Sequence, residues 1–235
     1  MAQSWLDRVA VPAYLFRWRV GEAMTYRLDK IDSLFPTPLL HFTVDDHEAL
    51  NAALLAEIAA RRAAEEGVTR TNRLGWHSQS DLFARAEPAQ AKLAETIKQA
   101  AAEATRKLAP GAPFDELHLV CEGWINVNPT GAYNAPHDHG GSFWSGAYYV
   151  AVPKDEGDGG AIEFIAPHHL HSPGGVVRAP MTASKATFRP TTGTLLLFPA
   201  TLTHWVHPNS SAEERVTIAF NASLRKVAAP GAPGA

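Results

Sequence analysis

Apolar and polar positions follow two different rhythms along the chain, and the change comes near Pro113. Over residues 47–66, HEALNAALLAEIAARRAAEE, apolar side chains recur at Leu50, Leu54 and Ile58. That three-to-four spacing predicts a helix with one buried face. Asp45 or Asp46 is placed to cap it and Gly67 to end it. Residues 87–108 repeat the pattern with Leu93, Ile97, Ala100, Ala104 and Leu108, opened by Pro88 and closed by Pro110-Gly111. Beyond Pro113 the pattern becomes short runs of apolar, β-branched and aromatic residues: Leu117–Val127, Ser142–Val152, Gly160–Ala166, Thr194–Phe198 and Arg215–Leu224. Each is bounded by Gly, Pro, Asn or Asp and reads as a strand. Strands at this spacing, with no helical pattern between them, predict a sandwich or barrel. Residues 167–193 have weak periodicity and read as a long loop with at most one short strand. The ending AAPGAPGA is low-complexity and reads as a flexible tail.

Composition narrows the chemistry more than the fold. The 235 residues (25.4 kDa) suit one large domain, or one domain with a small appendage. With 21 Lys and Arg against 24 Asp and Glu, there is no basic excess to suggest nucleic acid. A single cysteine, Cys121, excludes an intramolecular disulfide and a cysteine-based zinc site. No apolar run approaches the roughly 20 residues of a membrane span. Asp7 and Arg8 interrupt any signal-peptide core, so a soluble, cytoplasmic setting is expected. Neither a GxxxxGK[ST] nor a GxGxxG element is present. Histidine is the informative count: of 11, seven lie after residue 136. Metal chemistry here would use imidazole and carboxylate, and the second half is the place for it.

The central segment is YNAPHDHGG, residues 133–141. On an extended strand, positions i and i+2 share a face. His137 and His139 would then project together and Asp138 away. Two imidazoles on one face can begin a metal site, although such a pair also occurs as two surface histidines. A third ligand must come from elsewhere, and LLLFPATLTHWVHP offers His204 and His207. His168, His169 and His171 sit near Pro and Gly and read as loop histidines. His41, His47, His77 and His118 show no partner and read as structural. Arg215 and Thr217 are two apart on a strand and would share a face. An inward arginine is costly unless paired, and its planar fork matches a carboxylate. This end of the site therefore suits a carboxylate held away from the metal.

In order, these pieces are HxH, SGxYY, GG-apolar-x-F, FPxxxxH and RxTIAFN. So arranged, the sequence resembles the Fe(II)- and 2-oxoglutarate-dependent oxygenases, and most closely a bacterial branch of them. LFPTPLL and GWHSQSDL also look like that branch, so the resemblance runs from about Leu34 to Leu224. It implies a mainly β protein with flanking helices: a double-stranded β-helix, or jelly-roll barrel, with N-terminal amphipathic helices packed on it. It also implies a division into an extension (1–33), one oxygenase domain (34–224) and a tail (225–235). Within the domain, 45–112 would be helical support and 114–224 the core. Fe(II) would be the metal and 2-oxoglutarate the cosubstrate, chelating through its 2-oxo and C1-carboxylate oxygens. His137 and His204 match the motif's histidine ligands. Arg215, helped by Thr217, would take the C5-carboxylate. Tyr149 and Ser145 would line the cosubstrate pocket, with Asn126 and Asn128 projecting toward it from a neighbouring strand. The implied activity uses dioxygen to hydroxylate an unactivated C–H bond, releasing succinate and CO2.

One departure stands out. The usual middle ligand is a carboxylate, whereas position i+2 here is His139. An all-imidazole set lacks one negative charge and should hold Fe(II) less firmly. A bulge would instead turn Asp138 inward; strand alternation favours His139. Two other readings fit HxH plus a distant histidine. One is a cupin-like three-His enzyme without 2-oxoglutarate; the other is a non-catalytic jelly-roll metal-binding module. Both leave Arg215 and Thr217 without a purpose. The substrate is expected to be a small molecule or a peptide side chain, and the Ala-rich helices are compatible with a homodimer.

Overall fold

The computed structural model describes residues 27–32, 34–155, 157, 159–172 and 175–227. The chain divides into two units, Met1–Pro36 and Thr37–Ala235. In the first, residues 27–32 and 34–36 are exposed. The rest of the expected extension, and tail residues 228–235, lie outside the described residues.

Besides short 3-10 turns, the second unit contains, among the described residues, two α-helices and eleven strands. They are β1 (Leu40–Thr43), α1 (His47–Ala64), β2 (Asn72–Arg73), β3 (Trp76–His77), α2 (Pro88–Leu108), β4 (Leu117–Asn128), β5 (Tyr133–His137), β6 (Trp144–Ala151), β7 (Ile162–Ile165), β8 (Lys185–Phe188), β9 (Thr194–Pro199), β10 (His204–Val206) and β11 (Arg215–Lys226). The strands form two antiparallel sheets. One has six strands in the order β1-β9-β6-β11-β4-β3, and the other five in the order β2-β5-β10-β7-β8. The five expected strands are present, and β8 is the short strand in the long loop. β11 runs two residues past the expected boundary at Leu224.

Both helices lay their apolar stripes on one side of the six-stranded sheet. Leu54 and Ile58 of α1 and Leu93 and Ile97 of α2 join Ile125, Tyr148, Leu195 and Ile218 in one cluster. Two buried hydrogen bonds pin the layers: Tyr148 Oη donates to Asn51 Oδ1 at 2.7 Å, and Trp144 Nε1 to Thr105 Oγ1 at 2.8 Å. Alternate residues of the same strands face the other sheet. There Tyr149, Leu196 and Phe198 meet Ile162, Phe164 and Leu202. The site forms on this inner side.

The helix ends depart from expectation. Asp46 occupies the N-cap position of α1, but at φ 52° and ψ 32° its side chain makes no capping bond. The usual capping residue is extended, which aims its oxygen at the first turn. The first amides of α2 are instead met from α1: Glu57 accepts from Ala89 N at 2.8 Å and Gln90 N at 3.0 Å. A carboxylate there complements the helix dipole. α1 stops at Ala64, before Gly67. Gly67 serves the turn beyond, at φ +82°, where a Cβ would fall 2.7 Å from Trp76 Nε1. Among the described residues, no helix is long and apolar enough to cross a membrane.

Candidate metal centre

His137 on β5 lies opposite His204 on β10. Opposed residues of an antiparallel pair share a face, and the two rings meet with centroids 4.4 Å apart. Alternation along β5 was expected to bring in His139, but β5 ends at His137. His139 arrives by another route. Its N–H donates to Ala200 O at 2.8 Å, and its carbonyl accepts from Ser142 N at 2.9 Å. Its ring then sits 4.8 Å from that of His137 and 5.5 Å from that of His204. One ligand atom from each imidazole lies within 4.8 Å of the others. Asp138 is exposed, and its carboxylate accepts from Gly140 N at 3.1 Å instead of joining the group. His168, His169 and His171 are exposed on the β7–β8 loop.

Burial sets the electrostatics of this cluster. Desolvation, with His137 beside it, pushes His204 down to about 3. The same two causes push His139 down to about 4, and desolvation lowers His137. All three rings are therefore neutral at pH 7, the form that ligates metal. His137 Nδ1 lies 2.7 Å from Ala135 O, and His204 Nδ1 lies 2.9 Å from Leu202 O. A carbonyl that takes the Nδ1 proton orients the ring and leaves Nε2 as the donor atom. Metal–nitrogen bonds of about 2.1 Å bring ligand nitrogens within about 4.2 Å of each other, so small ring rotations would bring the three imidazoles within reach of one ion.

At the other end of the same inter-sheet cavity is Arg215, only 2% exposed. It opens β11 opposite Asn128, and its Nη1 donates to Gly160 O at 3.0 Å. Thr217 is opposite Asn126 on β4 and Tyr149 on β6. Arg215, Thr217, Tyr149, Ser145 and Asn126 all line the cavity with the three imidazoles. Asn128 does not: it is buried beside it, donating from Nδ2 to Asn134 Oδ1 at 3.3 Å. Asn134 itself lines the cavity, although alternation from His137 would turn it outward. Between His204 and Val206 on β10, β5 advances from His137 to Asn134, one residue more. This bulge turns Asn134 inward. Trp124, Phe198 and Asn221 were also missed as contributors. Trp124 and Phe198 pack their rings 5.6 Å from His139 and 4.8 Å from His204.

His207 is held away from the cluster. Its ring stacks on Trp205 at 4.2 Å, with Nε2 3.4 Å from Glu163 Oε2. Glu163 is buried and accepts from Lys185 Nζ at 2.8 Å, Trp205 Nε1 at 3.0 Å and Thr187 Oγ1 at 3.0 Å. The bond from Lys185, followed by those from Trp205 and Thr187, pulls its carboxyl to about 2 from an ordinary 4.5. A depressed folded-state value means stability present above the unfolded value and lost as pH falls through the folded one. Wild type should therefore lose melting temperature relative to Glu163→Gln as pH falls from 4.5 toward 2. Melts followed by circular dichroism across that window check this; parallel curves would show that Glu163 contributes nothing.

Residues 122–221 match the family described as "Putative 2OG-Fe(II) oxygenase". That span contains both ends of the cavity. No curated protein matches significantly. Among solved structures, a Pseudomonas putida prolyl-4-hydroxylase aligns with TM-score 0.57 and 18% identity over 79% of this chain and 91% of its own. A Trichoplax adhaerens prolyl hydroxylase, in complex with a hypoxia-inducible-factor peptide fragment, aligns with TM-score 0.57 and 13% identity over 79% and 83%. The epimerase SnoN, in complex with Fe3+, alpha-ketoglutarate and nogalamycin RO, aligns with TM-score 0.54 and 16% identity over 84% and 87%. At these identities the likeness is one of fold. It is the expected one, a double-stranded β-helix with flanking helices, and the family match falls within its core strands, residues 122–221.

Proposed function

We propose that this chain is an Fe(II)- and 2-oxoglutarate-dependent oxygenase that hydroxylates a C–H bond of a small molecule or a peptide side chain. The observation that carries this reading is the pairing, in one cavity, of three neutral imidazoles with a buried guanidinium. His137, His139 and His204 would hold the iron. When bound, iron and 2-oxoglutarate would supply the oxidising chemistry, with dioxygen consumed as the oxo acid loses CO2 and becomes succinate. The remaining work falls to this chain's own residues. Arg215 would take the distal carboxylate, with the Thr217 hydroxyl adding a hydrogen bond. Tyr149, Ser145 and Asn126 would fix the acid along the cavity, and Asn128 would support that wall through Asn134. Phe198 and Phe164, packed against His204, would exclude water from the metal end.

The hydroxylation step goes beyond the fold, because a protein of similar fold is an epimerase. Titrating anaerobic Fe(II) protein with 2-oxoglutarate tests the central claim. A metal-to-ligand charge-transfer band should rise in the visible and saturate. If metal binds and no band forms, a three-His enzyme without 2-oxoglutarate becomes the better reading. If metal binds in closed four-fold coordination, the chain is a structural metal-binding module.

A further inference from the structure

The three imidazoles are not held alike. The Nδ1 atoms of His137 and His204 face carbonyl oxygens. A carbonyl only accepts, so both rings carry their proton on Nδ1 and offer a lone pair at Nε2. His139 Nδ1 faces an amide nitrogen instead, Asn221 Nδ2 at 3.3 Å. The same nitrogen donates to Glu122 Oε1 at 2.9 Å. Asn221 Oδ1 is buried without a hydrogen-bond partner among the described residues.

Glu122 explains that costly orientation. An ionised carboxylate has no proton to give, so it must be met by the nitrogen end of the amide. The end that faces Glu122 also faces His139. With a donor at Nδ1, His139 becomes the acceptor there, and its ring proton stays on Nε2, the nitrogen left for a metal. Turning the amide over would reverse this. Oδ1 would gain the Nδ1 proton as a partner and Nε2 would gain its lone pair, but Oδ1 would then confront the Glu122 carboxylate.

We propose that Glu122, acting through Asn221, is a positioning residue that holds His139 in its non-ligating tautomer. The site is then a two-imidazole clamp whose third arm engages only when the Asn221 amide turns. This deepens the metal-site reading and rests on it. It also accounts for an all-imidazole set in physical terms: the third ligand is displaceable, and its engagement is set by the exposed Glu122.

The tautomers can be read without metal. In the full chain with 15N-labelled histidine, long-range proton–nitrogen correlation should show Nδ1–H for His137 and His204 and Nε2–H for His139. In Glu122→Gln, the new amide can donate as well as accept, so Asn221 is free to turn and His139 should shift to Nδ1–H. Glu122 is exposed, so the substitution leaves the core untouched. Co(II) titration followed by visible absorption should then show Glu122→Gln binding about tenfold more tightly than wild type, the size expected of an outer-sphere partner. Simple electrostatics predicts the opposite sign, because the variant loses a negative charge near the ion. Nδ1–H on His139 in the wild type overturns the proposal, and so does Co(II) binding by the variant that is equal or weaker. The tautomer pattern stands or falls separately from the metal-site reading, which fails if the wild type binds no Co(II).

Discussion

Replacing Arg215 by Ala should abolish the charge-transfer band at 2-oxoglutarate concentrations that saturate the wild type, while leaving Fe(II) binding in place. Arg215 is almost wholly buried, so a carboxylate bound to it is desolvated. Removing one partner of such a pair strands the other and costs about 3–5 kcal/mol. At about 1.4 kcal/mol per factor of ten, 2-oxoglutarate affinity should fall by two or more powers of ten. Arg215→Lys keeps the charge and loses the fork, so it should fall between the two. It also serves as the readable variant if Arg215→Ala fails to fold. Unchanged 2-oxoglutarate affinity in a folded variant would remove the guanidinium from the site and leave it a structural role, through contacts such as its bond to Gly160 O.

The second large effect is expected at His204. His204→Ala should weaken Fe(II) or Co(II) binding more than about a hundredfold, beyond the range for losing an outer-sphere partner. His207→Ala should change it little. The two histidines are three residues apart, yet the structure gives them different surroundings. His204 packs against His137 and Phe198, whereas His207 stacks on Trp205 beside Glu163. Calorimetric titration of both variants checks this, with circular dichroism confirming that each folds. A reversed result would make His207 the distal ligand and require β10 to be re-registered.

Local pattern carried much of this in advance. The helical stripes of α1 and α2, the five expected strands and the histidines that cluster are all visible as spacing. Arg215 and Thr217 are visible as polar residues alternating with apolar ones at the start of β11. Tertiary placement decided the rest. β1 has four residues and is specified by pairing with β9, about 150 positions later, which no local window senses. Asn134 faces inward because β5 carries an extra residue opposite β10, and a bulge has no periodic signature. The N-terminus of α2 is met by Glu57 from a different helix. Asn221 had a signal, as the last letter of RVTIAFN, but its role depends on where Glu122 and His139 fall around it. Gly146 of the SGxYY motif has a similar explanation. A Cβ there would fall 2.4 Å from both Leu196 O and the Phe220 ring, so this glycine lets β6 sit between its neighbours.

β11 runs from Arg215, which lines the cavity, to Asn221, six residues on and against His139. β4 and β6 bond it on either side along most of that length. A strand so flanked cannot stretch, and its rise of about 3.3 Å per residue makes it a ruler. On the proposed reading, the anchor for the distal carboxylate is fixed by backbone pitch relative to Asn221, while the metal ligands come from β5, β10 and the segment beyond β5. The position of that anchor would be set in a register that side-chain substitutions along the cavity wall would leave unaltered.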